Sequence, residues 1–508
     1  MHIDARTLEN GSVIEGDLCI VGAGAAGISM AMEWSGTNAR VILLEAGGFE
    51  YDARMQELYR GEIVGLPYFP LQAARLHYFG GTTGHWAGFC SPFDPIDFVQ
   101  RDWVPHSGWP FERAHLEPYY ARAQRVLELG PYEYDVAQWQ RRDPRLVPFP
   151  LDPSVVFTKM WQFSPPTRFG TRYRDSIVGA RNVQLYTNAI VREIEPSEGV
   201  TAVDGLRVRT LEGKELRVRA KHYVLATCSI QNARLLLASN SRVEAGLGNA
   251  NDLVGRYFME HLEMPSGVFV ELGDRAANAA MYAFEWGLTK ARGELALDEA
   301  VQRQRRVLNA TVSLYPQSLD EEGKSTFQRM SPEVMEERRK TGGPRATQRG
   351  DTTRQRGFHL QTRQEQAPNP ASRVMLSTER DELGMPRAKL DWRLTELDRR
   401  SFRDFYDVLG RELGRAGVGR VQMRPWVLEK PDAPWPSSVG GGWHHMGTTR
   451  MHPDPKQGVV NPDCQVHGIA NLSVAGAAVF PTAGAANPTL TLVAMTLRLS
   501  DHLKSKLS

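Results

Sequence analysis

The most regular hydrophobic pattern of the chain lies near its N-terminus. A short apolar run at residues 17–21 leads into a glycine-rich turn and a helical segment that extends through Ile28 to Trp34. A second apolar run, residues 40–44, ends at Glu45. Short buried strands on either side of a helix are typical of a βαβ unit with parallel strands. We therefore predict an α/β fold that begins with such a unit.

Patterns further along the chain divide it into two domains. Residues 188–226 contain alternating segments typical of strands, and the apolar residues after Asn232 predict a helix. From about 262 to 440, apolar strands mix with polar loops, and the final segment is again rich in motifs. We predict a discontinuous first domain, residues 1–261 with 441–508, and a second domain, residues 262–440, built on a mixed or antiparallel sheet.

One stretch of the second domain is strongly polar. Residues 320–357 are rich in Arg, Lys, Gly, Gln and Glu. This composition predicts a mobile basic surface loop, and a site for an acidic partner is the alternative.

Charge and cysteine usage narrow the classes of partner. The 61 Lys and Arg residues nearly balance the 59 Asp and Glu residues, which gives no basis for binding nucleic acid or a membrane. The four cysteines lack the spacing of metal ligands or a disulfide framework. Neither a signal-peptide pattern at the start nor a membrane-spanning apolar run occurs, so we expect a cytoplasmic protein. The oligomeric state is left open.

The glycine turn has the spacing of a dinucleotide site. Gly22 permits a tight bend, Gly24 lets the backbone approach a pyrophosphate, and Gly27 allows the helix to pack closely on the strand. Glu45, at the end of the next strand, is placed to accept hydrogen bonds from ribose hydroxyls. The turn therefore predicts a bound dinucleotide, without separating FAD from NAD.

Motifs along the rest of the chain resemble those of one enzyme family. The matching segments are Gly80-Gly81-Thr82-Thr83-Gly84-His85-Trp86, residues 255–261 (GRYFMEH), residues 366–374, His444, Asn487 and residues 479–502. In this order they resemble the glucose-methanol-choline (GMC) family of FAD-dependent oxidoreductases, within the sugar-oxidising branch that includes pyranose oxidase and the flavin subunits of fructose and gluconate dehydrogenases. The resemblance implies a Rossmann-type FAD domain formed by both chain ends. It also implies oxidation of an alcohol by hydride transfer to flavin N5.

The resemblance assigns the reacting groups to the C-terminal part of the chain. His444 occupies the position of the base that removes the hydroxyl proton, a role suited to imidazole because its pKa lies near neutrality. His445 is the alternative base, and neighbours in an extended segment point to opposite sides. Asn487 is expected to orient the substrate oxygen, although it could also cap the helix that follows.

The cofactor contacts implied by the motifs come from the whole chain. They are Gly22, Gly24, Gly27, Glu45, Gly81, Thr82, His85, Trp86, Val191, Gly476, Ala477, Asn487 and Thr489. His85 aligns with a position that is bonded covalently to FAD in pyranose oxidase. We expect FAD to be bound non-covalently, with a covalent link through His85 as the alternative.

Substrate contacts are predicted in the middle of the chain. A polar cluster is formed by Gln361, Gln364, Glu365 and Gln366, and the resemblance implies that it lies in a sheet above the flavin. We take Gln364 and Gln366, together with His445, as candidates for binding sugar hydroxyls, and a solvated strand face is the alternative for the cluster. The indoles of Trp161, Trp286 and Trp443 could stack on a sugar, although a tryptophan of this kind is more often a core residue than a ligand platform.

The sequence thus predicts an FAD-dependent oxidation of a secondary alcohol of a sugar or glycoside to a keto-sugar. Reoxidation would use O2, a quinone or a protein carrier. Three alternatives stay open. They are a flavin subunit of a membrane-linked sugar or polyol dehydrogenase, an oxidoreductase of a non-sugar alcohol, and a lyase without net redox chemistry.

Overall fold

The computed structural model describes residues 1–144, 146–272, 281–282, 291–316 and 357–507. Its strands, in chain order, are β1 (His2–Asp4), β2 (Val13–Val21), β3 (Val41–Leu44), β4 (Glu62–Gly65), β5 (Phe89–Cys90), β6 (Val156–Phe163), β7 (Val183–Thr187), β8 (Ile190–Pro196), β9 (Val203–Arg209), β10 (Glu215–Leu225), β11 (His261–Glu271), β12 (Ala291–Leu297), β13 (Ala310–Pro316), β14 (Gly357–Glu365), β15 (Arg373–Arg380), β16 (Pro386–Trp392), β17 (Gly419–Met423) and β18 (Leu472–Val474).

Helices of very different lengths connect these strands. They are α1 (Ala25–Trp34), α2 (Ala53–Glu57), α3 (Pro95–Phe98), α4 (Glu117–Val126), α5 (Val136–Arg142), α6 (Phe169–Arg172), α7 (Arg174–Gly179), α8 (Ser229–Ala238), α9 (Glu299–Arg305), α10 (Glu396–Arg415), α11 (Pro425–Leu428) and α12 (Pro488–Leu507). None of the described helices, α12 included, combines the length and apolar composition needed to cross a membrane.

The first sheet contains the predicted βαβ unit. Its order is β1-β7-β3-β2-β10-β9-β8, and β18 pairs with β10. The pairs β1–β7, β7–β3, β3–β2 and β2–β10 are parallel, and so is the pair β10–β18. The pairs β10–β9 and β9–β8 are antiparallel. β2, α1 and β3 follow one another as the hydrophobic pattern predicts, and the α/β fold class is confirmed.

Close packing between β2 and α1 depends on glycine. Gly22 has a φ of 100°, a conformation that L side chains rarely adopt. A Cβ atom on Gly27 would lie 1.8 Å from the carbonyl oxygen of Gly22. The start of α1 can therefore approach the end of β2 only when residue 27 has no side chain.

The second sheet is antiparallel, with the order β17-β11-β14-β13-β12-β6-β5. Helix α10 contacts this sheet through its buried face, which includes Phe402, Phe405 and Leu409. A capping box formed by Thr395 and Asp398 begins the helix. An antiparallel sheet agrees with the prediction for the middle of the chain.

Membership of the sheets does not follow the predicted domain ranges. β5 and β6, within residues 1–261, pair into the second sheet. β4 joins β15 and β16 in a third, three-stranded sheet. Strand pairing joins segments far apart in sequence, so local patterns could not indicate these exchanges. The predicted loop at 320–357 lies outside the described residues except for Gly357.

The C-terminal segment returns to the first sheet. β18 pairs in parallel with β10, and α12 packs against α1 and α4. Segments from both ends of the chain therefore pack on the first sheet, and the glycine turn and the start of α12 line the same cavity.

Candidate active site

A cavity of about 460 Å³ lies where the first and second sheets meet, within the size range of ligand sites. It is lined by most of the predicted site residues: Gly22, Gly24, Glu45, Gly81, Thr82, His85, Trp86, Val191, His444, His445, Gly476, Ala477, Asn487 and Thr489. Gly27 does not line it and instead permits the packing of α1 on β2.

The end of the cavity formed by the glycine turn is suited to a dinucleotide. Gly24 is the N-cap residue of α1, and no side chain makes a capping hydrogen bond to the first amides of the helix. A Cβ placed on Gly24 would meet no described atom within 4 Å. The first amides of α1 are therefore available to an anion such as a pyrophosphate.

Glu45 is held rigidly beside this turn. Its carboxylate accepts hydrogen bonds from the amides of Ala23 and Gly47, at 3.0 and 2.9 Å. Burial raises the pKa of Glu45, and these amide hydrogen bonds oppose the shift. Each carboxylate oxygen keeps a second lone pair, which can accept from a ribose hydroxyl.

A second part of the cavity wall contains two polar atoms without partners. His85 Nε2 and Trp443 Nε1 are buried, and neither has a hydrogen-bond partner among the described residues. Their rings lie 5.1 Å apart, and both line the cavity. Burial and the charge of Arg168 lower the pKa of His85 to about 4. Unsatisfied buried groups at this position fit a site that is completed by a bound cofactor.

His444 lies between two polar side chains. Its Nδ1 is 2.9 Å from Nδ1 of His261, and its Nε2 is 3.3 Å from Nδ2 of Asn487. Burial, and then the charges of Arg363 and His445, lower the pKa of His444 well below its usual value. The imidazole is therefore neutral at neutral pH and can accept a proton.

Asn487 uses both ends of its side-chain amide. Oδ1 accepts a hydrogen bond of 3.1 Å from the indole of Trp161, and Nδ2 faces His444. Helix α12 begins at the next residue, so its N-terminus lies directly behind this amide. The position next to the helix is as predicted, and the side-chain contacts tie Asn487 to the histidine.

His445 belongs to a separate hydrogen-bond network. Its Nε2 is 2.9 Å from the hydroxyl of Tyr68, which in turn donates to the carboxylate of Glu260. The other oxygen of Glu260 accepts from the amide of His444 at 2.6 Å. Burial, followed by the charge of Arg75, lowers the pKa of His445 to about 3. Burial raises the pKa of Glu260 to about 7.

The second sheet contributes a polar wall to the cavity. Glu263 on β11 lies opposite Arg363 on β14, and the guanidinium donates to the carboxylate at 2.8 Å. Gln361 on β14 and Tyr315 on β13 line the same cavity. These four residues, which we call the polar wall, offer both donors and acceptors to a ligand.

Gln364 and Gln366, the predicted substrate contacts, lie elsewhere. Both are fully buried described residues that do not line the cavity. Gln364 donates to the carbonyl of Asp398 at the start of α10. Successive side chains of a strand point to opposite faces, so Gln361 and Arg363 reach the cavity while Gln364 faces α10. Strand alternation could have separated Gln364 from Gln361 and Arg363, but not shown which face of β14 meets the cavity.

Gln366 lies just beyond the end of β14 and serves the core. Its Oε1 accepts from the indole of Trp392 and from the amide of Glu260, at 2.9 and 3.0 Å. Of the three tryptophans considered as sugar platforms, Trp161 is fully buried and Trp443 lines the cavity. Trp286 lies outside the described residues.

Three polar residues near His444 were not singled out from the sequence. They are Tyr68, Glu260 and His261. Glu260 and His261 fall within the GRYFMEH segment, which carried the family resemblance without a role for either residue. Their proximity to His444 results from the pairing of residues 259 and 446 and of 262 and 441.

Comparisons with known families cover both ends of the chain. A family described as "FAD dependent oxidoreductase" matches residues 17–243, and one described as "GMC oxidoreductase" matches residues 368–496. These ranges contain the glycine turn with Glu45, and His444 with Asn487.

Two individual relatives extend over nearly the whole chain at low identity, and a third matches a shorter part at higher identity. A 2-methyl-1,2-propanediol dehydrogenase from Mycolicibacterium austroafricanum is 24% identical, over 97% of this chain and 96% of its own. The fructose dehydrogenase large subunit of Gluconobacter japonicus is 23% identical, over 97% and 98%. A C-glycoside 3-oxidase from Arthrobacter globiformis is 38% identical over 26% of this chain and 24% of its own.

A solved structure shares the fold. The crystal structure of formate oxidase aligns with a TM-score of 0.57 at 16% identity, covering 98% of this chain and 99% of that protein.

Proposed function

Because the chain belongs to the GMC family of FAD-dependent oxidoreductases, we propose that it oxidises a secondary alcohol of a sugar or glycoside to the corresponding keto-sugar. The observation that carries the proposal is the cavity itself. One end offers the uncapped start of α1 and Glu45, and another part brings together His444, Asn487 and the polar wall. A dinucleotide and an alcohol substrate can therefore occupy adjoining parts of one site.

The residues that we propose to hold FAD come from both chain ends. The glycine turn and Glu45 would bind the adenosine and pyrophosphate portion, together with Val191, Gly476 and Ala477. Gly81, Thr82, His85, Trp86 and Thr489 line the remaining cavity wall. FAD, when bound, supplies the acceptor for the hydride that leaves the alcohol carbon.

His444 is the proposed base. Its neutral ring can accept the hydroxyl proton of the alcohol at Nε2, the nitrogen that faces Asn487. Asn487 Nδ2 can donate a hydrogen bond to the same oxygen, which holds the alcohol beside the base. His445 is better suited to a substrate contact than to proton removal at Nε2, because Tyr68 donates its hydroxyl hydrogen to Glu260 and therefore accepts from Nε2 of His445, which already carries a proton.

The polar wall supports a carbohydrate substrate. Arg363 and Gln361 supply hydrogen-bond donors, while Glu263 and Gln361 supply acceptors. Neighbouring hydroxyls of a sugar need both kinds of partner. Fructose and a C-glycoside appear in the names of two relatives, whereas a third is named for a small diol. The polar wall, rather than these names, therefore supports a carbohydrate over a non-sugar alcohol.

We further propose that O2, a quinone or a protein carrier reoxidises the enzyme, and that it works in the cytoplasm. All four cysteines, each within the described residues, are unpaired. Free thiols of this kind support a reducing compartment.

Product analysis tests the proposed function directly. The holoenzyme is mixed without air with a panel of free sugars, glycosides and non-sugar alcohols, and the visible flavin absorbance is followed. We expect bleaching by at least one carbohydrate and a keto-sugar in the mixture by mass spectrometry. Reduction by non-sugar alcohols alone would overturn the substrate class, and product formation without bleaching would overturn the redox assignment. Admission of air then distinguishes O2 from other acceptors by the rate of reoxidation.

A further inference from the structure

We infer that Trp161 and His261 are positioning residues that fix the tautomer of His444, with its proton on Nδ1 and a bare lone pair on Nε2. This inference rests on the proposed function of His444 as the base. The contacts form one chain of hydrogen bonds, from Trp161 through Asn487, His444 and His261 to the backbone at Gly484.

At one end of this hydrogen-bond chain, the indole of Trp161 determines which groups donate and which accept. An indole nitrogen can only donate, so the Asn487 atom that lies 3.1 Å from Trp161 Nε1 must be the amide oxygen. The amide NH2 group of Asn487 then faces Nε2 of His444 at 3.3 Å. Because this group is a donor, Nε2 of His444 must be the acceptor and carries no proton.

At the other end of the hydrogen-bond chain, the contacts of His261 independently indicate the same tautomer of His444. Nε2 of His261 lies 3.1 and 2.8 Å from the carbonyl oxygens of Ala483 and Gly484, which can only accept, so this nitrogen carries the proton. Burial, and then the charge of His444, lower the pKa of His261 to about 3, so its ring is neutral. Nδ1 of His261 is therefore the acceptor for Nδ1–H of His444, at 2.9 Å.

The opposite tautomer would face unfavourable contacts at both nitrogens. A proton on Nε2 of His444 would meet the NH2 group of Asn487, and a bare Nδ1 would meet the lone pair of His261. Such a ring could not accept a proton from an alcohol bound beside Asn487. The hydrogen-bond chain therefore favours the His444 tautomer with an unprotonated Nε2, which proton removal requires.

Trp161 and His261 act through their neighbours rather than on the ligand. Both are fully buried described residues, and neither lines the cavity. Trp161 lies on β6, and His261 begins β11, so the second sheet fixes the positions of both residues. The Arg363 guanidinium of the polar wall lies over the Trp161 ring, 5.7 Å from its centroid. Phenylalanine, which keeps a ring at either position, should therefore leave the substrate contacts largely unchanged.

Substitution of His261 separates this role from general packing. His261→Phe keeps an aromatic ring but removes the acceptor, whereas His261→Asn keeps an oxygen near the position of Nδ1. In the holoenzyme, we expect His261→Phe to slow flavin reduction by about tenfold to a hundredfold, part of the contribution of general-base catalysis. Bound FAD and the substrate dissociation constant should be retained, and His261→Asn should restore much of the rate constant.

Nitrogen-15 NMR of histidine-labelled holoenzyme reads the tautomer without any substrate. We expect the His444 signals, assigned by their loss in His444→Ala, to show a protonated Nδ1 and a bare Nε2. In His261→Phe the proton should be partly or wholly on Nε2. A wild-type proton on Nε2, or an unchanged tautomer in His261→Phe, would overturn the inference. Because no substrate is needed, this result is independent of whether a carbohydrate is oxidised.

Trp161→Phe tests the indole end of the hydrogen-bond chain. It tests the inference by itself if His261→Phe does not yield folded holoenzyme. Loss of the indole N–H frees the Asn487 amide to rotate, so we expect slower reduction and a mixed tautomer. Trp139→Phe is the matched control, because it removes an indole hydrogen bond, to the carbonyl of Glu133, outside the cavity. Equal rate constants and tautomers in the two tryptophan variants would contradict the proposed role.

Discussion

His444 and His445 are adjacent in the chain, yet their rings belong to different networks. The first contacts His261 and Asn487, and the second contacts Tyr68. Both are kept neutral mainly by burial, which disfavours the imidazolium form. Two adjacent histidines can therefore have separate roles, one as the proposed base and one as a proposed substrate contact.

The pH dependence of flavin reduction should reflect the environment of His444. Since its pKa is lowered from 6.5, the neutral form persists as the pH falls below that value. We expect the limiting rate constant of anaerobic reduction to stay level from neutral pH to below 6.5 and to decrease only in more acidic solution. Stopped-flow measurements over a pH series check this.

Arg363 provides the control for this pH profile. Its guanidinium, together with His445, disfavours a second positive charge on His444. Arg363→Gln should therefore move the acidic decrease to higher pH. A wild-type decrease centred above 6.5 would contradict a base with a lowered pKa.

The resemblance to the GMC family indicated His444 and Asn487; the structure places both at the cavity, and their roles stay predictions. Gln364 was chosen from a polar cluster of the sequence, and it does not line the cavity. The face to which a strand residue points depends on its register, and β14 directs Gln361 and Arg363 to the cavity instead. The contact of His261 with His444 is non-local and has no signal in a single sequence.

At the scale of elements, the turn between β2 and α1 serves both the fold and the proposed cofactor site. Gly27 is required by packing, since its Cβ would collide with the carbonyl of Gly22. Gly24 is open toward the cavity and has an ordinary φ of −86°. The two glycines therefore allow the two requirements to be tested separately.

Alanine at each glycine should give opposite results. Gly27→Ala should destabilise the fold by roughly 1–3 kcal/mol, as expected for overpacking. Gly24→Ala should leave the apoprotein at least as stable, because alanine has no strain at this φ, but should weaken FAD binding at least about tenfold. Urea unfolding of the apoproteins and flavin titration check both. Normal FAD affinity in Gly24→Ala would place the pyrophosphate away from this turn.

The βαβ unit was predictable because short apolar runs and a glycine turn are local signals. The sheet that each strand joins was not predictable from local patterns. β6 pairs with β12, which lies far along the chain and in the other predicted domain. The same holds for β4, whose neighbour in the third sheet is β16.

For the whole molecule, the cavity is lined by segments that lie far apart in the sequence. Its walls include the glycine turn, β14 of the second sheet, and the segments around His444 and Asn487. A ligand that touches all of these binds only the folded chain, so it should stabilise the molecule as a unit.

Removal of FAD should therefore lower stability measurably. With free FAD at a hundred times its dissociation constant, we expect a gain of about 2.7 kcal/mol in the free energy of unfolding over the apoprotein. Urea unfolding with and without FAD measures it, and Gly24→Ala should show a smaller gain at the same FAD concentration. No gain for the wild type would contradict a cofactor that spans both chain ends.

Denaturation also tests the mode of attachment. Flavin released into the supernatant indicates non-covalent binding, which we expect. Flavin that stays with the precipitated chain, and is lost in His85→Ala, would indicate the covalent alternative.

The most direct test of the central claim is anaerobic flavin reduction by a carbohydrate in wild-type enzyme, His444→Ala and His445→Ala. We predict that His444→Ala retains FAD and binds the substrate, but reduces its flavin at least about a hundredfold more slowly. His445→Ala should bind the substrate more weakly and still reduce the flavin. A normal rate constant in His444→Ala, or its loss in His445→Ala alone, would contradict the proposed site.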